Sequence, residues 1–272
     1  MIVKLHIATL CCIAFFATSI FAQDTTAFIF NKTFTGEYVF FNVDNLENIY
    51  AINNSNQLKK MNPNGDSVGV FNNVRKYGKL TAIDVTNPLK LLLYYQNFAT
   101  IVVLDRFLNT RNVINLRRQN IFNVSAIGTS YDNHIWLFDE GDGKIKKIDD
   151  NGEVLTETVD IRNIFDSIPT PIKITDVDGY VHLYDTEKGF YIFDIYGTLK
   201  NKIPFTNWQN TEVIGQKLYG FSKGCLYQYQ LNALQLKQYQ LPYFFTNATQ
   251  IKAINGKVYL LTKNGILQYS VQ

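Results

Sequence analysis

The sequence predicts an all-β fold, a six-bladed β-propeller, and three observations predict it. Six short segments recur at a near-constant spacing. Each interval divides into four strand-sized pieces. The array ends one strand short, while an unassigned strand lies at its head.

The recurring segments are Asn48–Ile52, Lys90–Tyr94, His134–Phe138, Tyr180–Tyr184, Lys217–Phe221 and Lys257–Leu261. Their aliphatic second positions (Ile49, Leu91, Ile135, Val181, Leu218, Val258) lie 42, 44, 46, 37 and 40 residues apart. A period of roughly 40–45 residues filled with short strands marks propeller blades, one four-stranded sheet per repeat.

The third repeat shows the division most clearly. Val124–Thr129 reads as the inner strand, Ile135–Phe138 as the second, Lys144–Asp149 as the third and Glu153–Thr158 as the outer one. Asn151-Gly152 predicts a tight hairpin between the last two, with positive φ at both central residues. Asn64-Gly65 and Tyr196-Gly197 take the same place in blades one and four, and Leu108-Asn109-Thr110 replaces it in blade two. In the third strand, Ile145 and Ile148 stand among Lys144, Lys146 and Lys147, which predicts charged side chains on a solvent face. The second strands are nearly continuous apolar runs, as expected of strands covered on both faces by neighbouring blades. Tyr50, Leu92, Trp136, His182, Tyr219 and Tyr259 form the column expected to fill the seams, since each aromatic buries ~150–250 Å².

The chain ends decide the blade count. The sixth repeat supplies Thr249–Ile254, the segment around Lys257–Leu261, and Ile266–Val271, and then stops. An open edge there would invite pairing with another chain. The strand around Ala27–Phe30 precedes the first inner strand, Tyr38–Val43, and is expected to pair beside Ile266–Val271 and close the ring.

Residues 1–22 read as a secretory signal peptide: Lys4 is the basic n-region, 7–20 the apolar run, and Ala22 the small residue before the cut. A lipoprotein signal fails, because Leu10 rather than a small residue precedes Cys11. Residues 23–272 are then one propeller. No other apolar run approaches the ~18–20 residues a membrane span needs. Loss of Lys4 leaves 25 basic against 23 acidic residues, too even a balance to imply nucleic acid or a polybasic membrane tether. One cysteine remains, Cys225, which excludes an intramolecular disulfide and reads as a small buried hydrophobe.

The polar turn and strand Asp132-Asn133-His134-Ile135-Trp136-Leu137, followed by Gly143–Gly152 with its Asp149-Asp150-Asn151-Gly152 turn, resemble the NHL-type and TolB-like six-bladed propellers. Those families share a polar turn, an aromatic second strand and a third strand ending in Asp-x-x-Gly. The likeness covers blade three well and the other repeats loosely; Leu92 lacks the aromatic, and blades two, five and six lack the acidic-Gly turn. It implies the propeller fold and an envelope binding protein, located in the periplasm, at the outer membrane or outside the cell. It transfers no catalytic residue.

The sequence carries few marks of catalytic chemistry. The mature chain has two histidines, no zinc spacing, no Gly-x-Ser-x-Gly elbow and no phosphate-binding Gly-rich loop. No cofactor is expected. The alternative reading is a calcium-dependent lactonase-like hydrolase, because some six-bladed propellers gather acidic side chains around the channel and calcium takes six to eight oxygen ligands. Its candidates are Asp84, Asp176, Asp178 and Glu212. The segment 139–143 (Asp-Glu-Gly-Asp-Gly) has calcium-like composition but lacks the full ligand alternation, and is expected to be a solvated loop.

The stronger signal lies in the crossovers between blades, which share a face with the loops joining second and third strands. They carry Arg75, Tyr77, Arg117, Arg118, Phe122, Arg162, Phe165, Trp208, Tyr243 and Phe244, including four of the six arginines. Loops on a rigid scaffold carry function disproportionately, and aromatic residues and arginine are enriched at interface centres. The expectation is a non-catalytic binding or scaffold protein of the bacterial envelope that docks a protein partner or an anionic glycan through this face.

Overall fold

The computed structural model describes residues 28–271. The predicted signal peptide, its cleavage site and the first residues of the mature chain lie outside the described residues.

Six four-stranded antiparallel sheets form the propeller. Blade one runs Tyr38–Val43, Ile49–Asn53, Leu58–Met61 and Ser67–Phe71 from inner to outer strand; blade two runs Ala82–Asp84, Leu91–Tyr95, Thr100–Leu104 and Thr110–Asn115. Blade three is Val124–Thr129, Ile135–Asp139, Lys144–Ile148 and Val154–Glu157, and blade four is Lys173–Val177, Tyr180–Asp185, Gly189–Asp194 and Leu199–Ile203. Blade five is Gln209–Ile214, Lys217–Ser222, Cys225–Gln230 and Gln235–Gln240. Blade six takes Gln250–Ile254, Lys257–Thr262 and Gly265–Val271 from the tail of the chain and Phe28–Phe34 from its head. The head strand pairs Phe28 with Val271, Phe30 with Tyr269 and Phe34 with Ile266, with a bulge between Phe30 and Lys32. The ring closes as the strand count predicts.

The core lies in the seams. Six apolar clusters occur, one between each pair of adjacent blades. Tyr50, Leu92, Trp136 and Tyr259 of the predicted column are fully buried, a fully buried aliphatic such as Leu92 being worth roughly 1.5–3 kcal/mol of transfer free energy. His182 is buried with them, and burial holds its ring below the ordinary histidine value. Tyr219 is only half-buried, because blade five is the least covered sheet: Cys225 is the sole buried residue of its third strand, and its outer strand is exposed throughout. Gly220 gives blade five its tightest contact. A Cβ there would lie 2.4 Å from the Trp208 ring.

Two expectations about blade three are corrected. Only the glycine of each predicted Asn-Gly-type turn has positive φ (Gly65, Gly152, Gly197), and the residue before it does not. The turns are three-residue hairpins with a bulge, seen as register shifts after Lys60, Lys147 and Ile192. An acidic or amide side chain opens each one: Asp149 Oδ1 accepts the amides of Asn151 and Glu153, both at 2.8 Å, and Asn62 and Asp194 do the same in their blades. That geometry accounts for Asp-x-x-Gly as a unit, with the carboxylate holding two amides and the glycine supplying the left-handed residue. Blade two keeps Asp105 and puts Leu108 at φ 67 in the glycine position.

The second correction concerns Lys146 and the loop at 139–143. Lys146 is buried, and its ammonium donates to Asp139 Oδ2 at 2.8 Å and to Asp142. Asp139 is buried too, so the loop is not simply solvated: a lysine from the adjacent strand supplies its cation. Alternation alone could not show this. Lys146 faces the seam on the same side as Ile148, and only a long side chain reaches the carboxylates.

Candidate functional site

The crossovers and the second-to-third-strand loops do lie on one face. Arg117 Nη2 donates to the Asn97 carbonyl at 2.8 Å, and Arg162 Nη2 donates to the Asp142 carbonyl at 3.0 Å. Each bond ties a crossover to the loop of the preceding blade. Arg162 is also clamped by Asp160, with its Nη2 2.7 Å from Oδ2. Two of the four crossover arginines thus have a packing role that the sequence does not reveal. Arg75 and Arg118 are exposed and form no ion pair or side-chain hydrogen bond with the described residues.

The aromatics divide the same way. Tyr77 is buried in the first crossover, against Tyr95 with ring centroids 5.2 Å apart. Trp208 is buried between Phe205 and Tyr227, stacked on both. Phe165 is half-buried, edge-on to Tyr191 and beneath the Lys202 ammonium at 4.7 Å. Phe244 stacks on Tyr269 at 4.8 Å and meets Phe28 of the closing strand. These four seal blade ends, since a crossover spanning two sheets must cover the apolar gap beneath it. Phe122, at 60% exposure, and Tyr243, at 83%, point away from the core.

One exposed aromatic of this face went unread in the sequence. Phe98 sits in the loop of blade two, 49% exposed, with its ring edge 3.3 Å from the Cβ position of Gly78 in the first crossover. The Asn97 carbonyl beside it takes the Arg117 bond. Phe98 therefore lies against the first crossover at Gly78, and the residue before it takes the bond from the second. Its signal was an apolar residue in a short polar loop, Gln96-Asn97-Phe98.

The channel holds a cavity of about 490 Å³ lined by the inner strands. The acidic candidates do not assemble there. Glu212 Oε1 accepts from Lys252 at 2.7 Å and Lys173 at 2.9 Å, so blades four, five and six meet in a Lys–Glu–Lys cluster. Burial pushes Glu212 up, but the two ammoniums outweigh it and hold the carboxyl below its ordinary value. Burial pulls Lys173 down, and Glu212 offsets it only in part. Asp84 Oδ2 accepts the Thr129 amide and hydroxyl, both at 2.6 Å. Asp176 Oδ2 accepts from the Trp136 indole at 2.8 Å and from Ser130. Asp178 is an exposed turn residue with φ 52. Among the described residues no group of three or more His, Cys, Asp or Glu side chains is placed to hold a metal ion.

No protein-family model matches the chain, and no curated protein matches it. Solved propellers do. A streptogramin B lyase aligns at 16% identity over 85% of this chain and 78% of its own, with a TM-score of 0.61. The WD40 domain of Neurospora crassa Pan2 aligns at 11% identity over 85% and 78%, with a TM-score of 0.59. The β-propeller domain of Cps50 (Swd1) from Myceliophteria thermophila aligns at 8% over 90% and 100%, with a TM-score of 0.60. Likeness at these identities shows the fold alone. The chain is a six-bladed β-propeller, the architecture that the NHL-type and TolB-like resemblance implies. Among the described residues no helix is long and apolar enough to cross a membrane.

Proposed function

We propose that this propeller is a non-catalytic binding module of the bacterial envelope that docks a protein partner through its crossover face. The observation that carries the reading is the set of Arg75, Phe98, Arg118 and Phe122 on neighbouring crossovers and their loop, exposed and, for the two arginines, without a counter-charge among the described residues. Arginine and phenylalanine side by side are enriched at the centres of protein interfaces. Unpaired guanidiniums favour a partner presenting carboxylates, which they bind in bidentate fashion. The export signal read at residues 1–22 supports the envelope setting. Glu212 is held by Lys173 and Lys252, Asp84 by Thr129, and Asp176 through one oxygen by Trp136 and Ser130, and among the described residues no three acidic side chains converge as the lactonase alternative requires.

The test is affinity capture from envelope extracts with the mature chain, comparing the native protein with the Arg75→Glu, Arg118→Glu double variant. Both side chains are exposed, so the variant keeps its fold and melting temperature. Loss of a captured protein supports the reading; an unchanged set of partners overturns it.

A further inference from the structure

The outer strand of blade five, Gln235–Gln240, is an unprotected sheet edge. We infer that it pairs antiparallel with the same strand of a second copy, about a twofold axis through Gln238, and joins two propellers rim to rim.

Five of the six outer ladders carry a β-bulge, with register shifts after Lys60, Val103, Lys147 and Ile192 and after Phe30 of the closing strand. Bulges twist an edge away from a stray partner. Blade five has none: its ladder runs unbroken from Gln240 against Cys225 to Gln235 against Gln230. The other protections are missing too. No proline interrupts the strand, Lys237 is its one charge, and every residue in it is exposed.

The direction of its free backbone groups follows from the neighbouring ladders. The Leu241 amide donates to the Gly224 carbonyl at 3.0 Å, and the Leu231 amide donates to the Gln216 carbonyl at 2.9 Å. In an antiparallel pair, alternate residues turn both N–H and C=O toward the same neighbour. Gln235, Lys237 and Tyr239 therefore spend theirs on the third strand. Leu236, Gln238 and Gln240 turn theirs outward, with no further strand beside them among the described residues.

Those three residues set the register. An axis through Gln238 places it opposite its own copy and Leu236 opposite Gln240, so every outward amide meets a carbonyl. Lys237 cannot face its own copy, because its backbone groups point inward. It lies beside Tyr239 of the second copy instead, where an ammonium against a phenol ring is favourable. An axis through Leu236 would set Gln238 against Leu234, a turn residue at φ 51. An axis through Gln240 would set it against Pro242, which has no N–H to give. The strand is thus complementary to itself in one register, with no like charges opposed. A single strand pair falls below the roughly 1,200 Å² of a standard interface, so the dimer is weak and concentration-dependent.

This inference goes beyond the docking reading and stands without it, since the edge lies on the rim and Arg75 and Arg118 lie in the crossovers. Sedimentation equilibrium of the mature protein at rising concentration tests it, with the mass expected to climb from one chain toward two. Gln238→Pro removes an N–H that the blade does not use, so the melting temperature holds while association weakens roughly tenfold or more. Gln238→Glu and Gln238→Lys each oppose like charges and are expected to stay monomeric alone; mixed in equal amounts they pair with each other and recover the dimer. The Arg75→Glu, Arg118→Glu variant dimerises as the native protein does. A native protein still monomeric at about 500 μM, a dimer untouched by all three substitutions at Gln238, or a charge-swapped mixture that stays monomeric overturns the inference.

Discussion

The side-chain amide of Gln250 takes the place of a strand partner for Phe41. Its Oε1 accepts the Phe41 amide at 2.9 Å and its Nε2 donates to the Phe41 carbonyl at 2.8 Å, across 209 residues of sequence. Blades one and six are thereby joined at their inner strands, where no backbone ladder runs between sheets. Gln250→Leu strips both bonds from a half-buried backbone. The expected loss is about 1–3 kcal/mol, read as a fall in melting temperature of roughly 2–10 °C. An unchanged melt would remove the clasp from the account of closure.

The outer strand of blade six is a stronger lock. Removing residues 23–34 takes away Phe34 from the seam between blades six and one, Phe28 from the seam between blades five and six, and a full ladder against Gly265–Val271. The truncated chain is expected to melt far below the native protein or to aggregate through the bared edge. Light scattering and thermal melts check this. A truncation as stable as the whole would contradict velcro-like closure.

Lys146 and Asp139 form a buried pair, with side chains 6% and 3% exposed. Lys146→Met leaves the Asp139 charge uncompensated, and the expected cost is about 3–5 kcal/mol. Adding Asp139→Leu to that variant recovers most of the loss, because the pair as a whole contributes little relative to apolar packing. The ammonium already fills the space between Asp139 and Asp142, so millimolar calcium leaves the native melting temperature where it is. A calcium-induced rise would mean that the metal displaces the lysine.

Gly220→Ala drives a methyl group into the Trp208 ring. Overpacking costs about 1–3 kcal/mol, and the same substitution in a Trp208→Leu background costs less. Equal costs in both backgrounds would show that the contact does not limit the residue at 220.

Acid stability follows from the paired carboxylates. Hydrogen bonds from Lys146, Arg162 and Lys200 hold Asp142, Asp160 and Asp194 below the ordinary aspartate value of 3.8. The folded chain then binds fewer protons than the unfolded one as pH drops toward that value. The stability these groups add is complete above about pH 4 and drains as pH falls through their lower, folded values. Burial also holds the His182 ring below its ordinary value of 6.5, so its share of stability is complete above that pH and drains below it. Urea melts from pH 7 to pH 2 should show a shallow decline setting in below about pH 6.5 and a steeper one below about pH 4. A His182→Leu variant that kept the shallow limb would assign it to other groups.

The blade count, strand order and ring closure were legible because each rests on a repeated physical requirement. A second strand covered on both faces must be apolar, and Ile49, Leu91, Ile135, Val181, Leu218 and Val258 repeat that demand. The face shared by the crossovers and the second-to-third-strand loops follows from that strand order, whereas the burial of Lys146 on a strand read as solvent-facing did not show in its alternation. Roles of individual crossover residues were not. Tyr77 and Trp208 belong to residue types shared by interface anchors and seam plugs, and only burial separates the two uses. Arg117 and Arg162 bond to loop carbonyls, and a carbonyl is the one group every residue carries, so no pattern marks it.

Closure by the head of the chain also sets an order of events during synthesis. Asn31 and Ser270, which bond across the last sheet, are 239 residues apart. At roughly 5–20 residues per second the earlier strand waits on the order of 10–50 s for its mate to be made. For that interval the growing polypeptide carries an adhesive ribbon with no lawful neighbour, and quality control has most to watch at its oldest end.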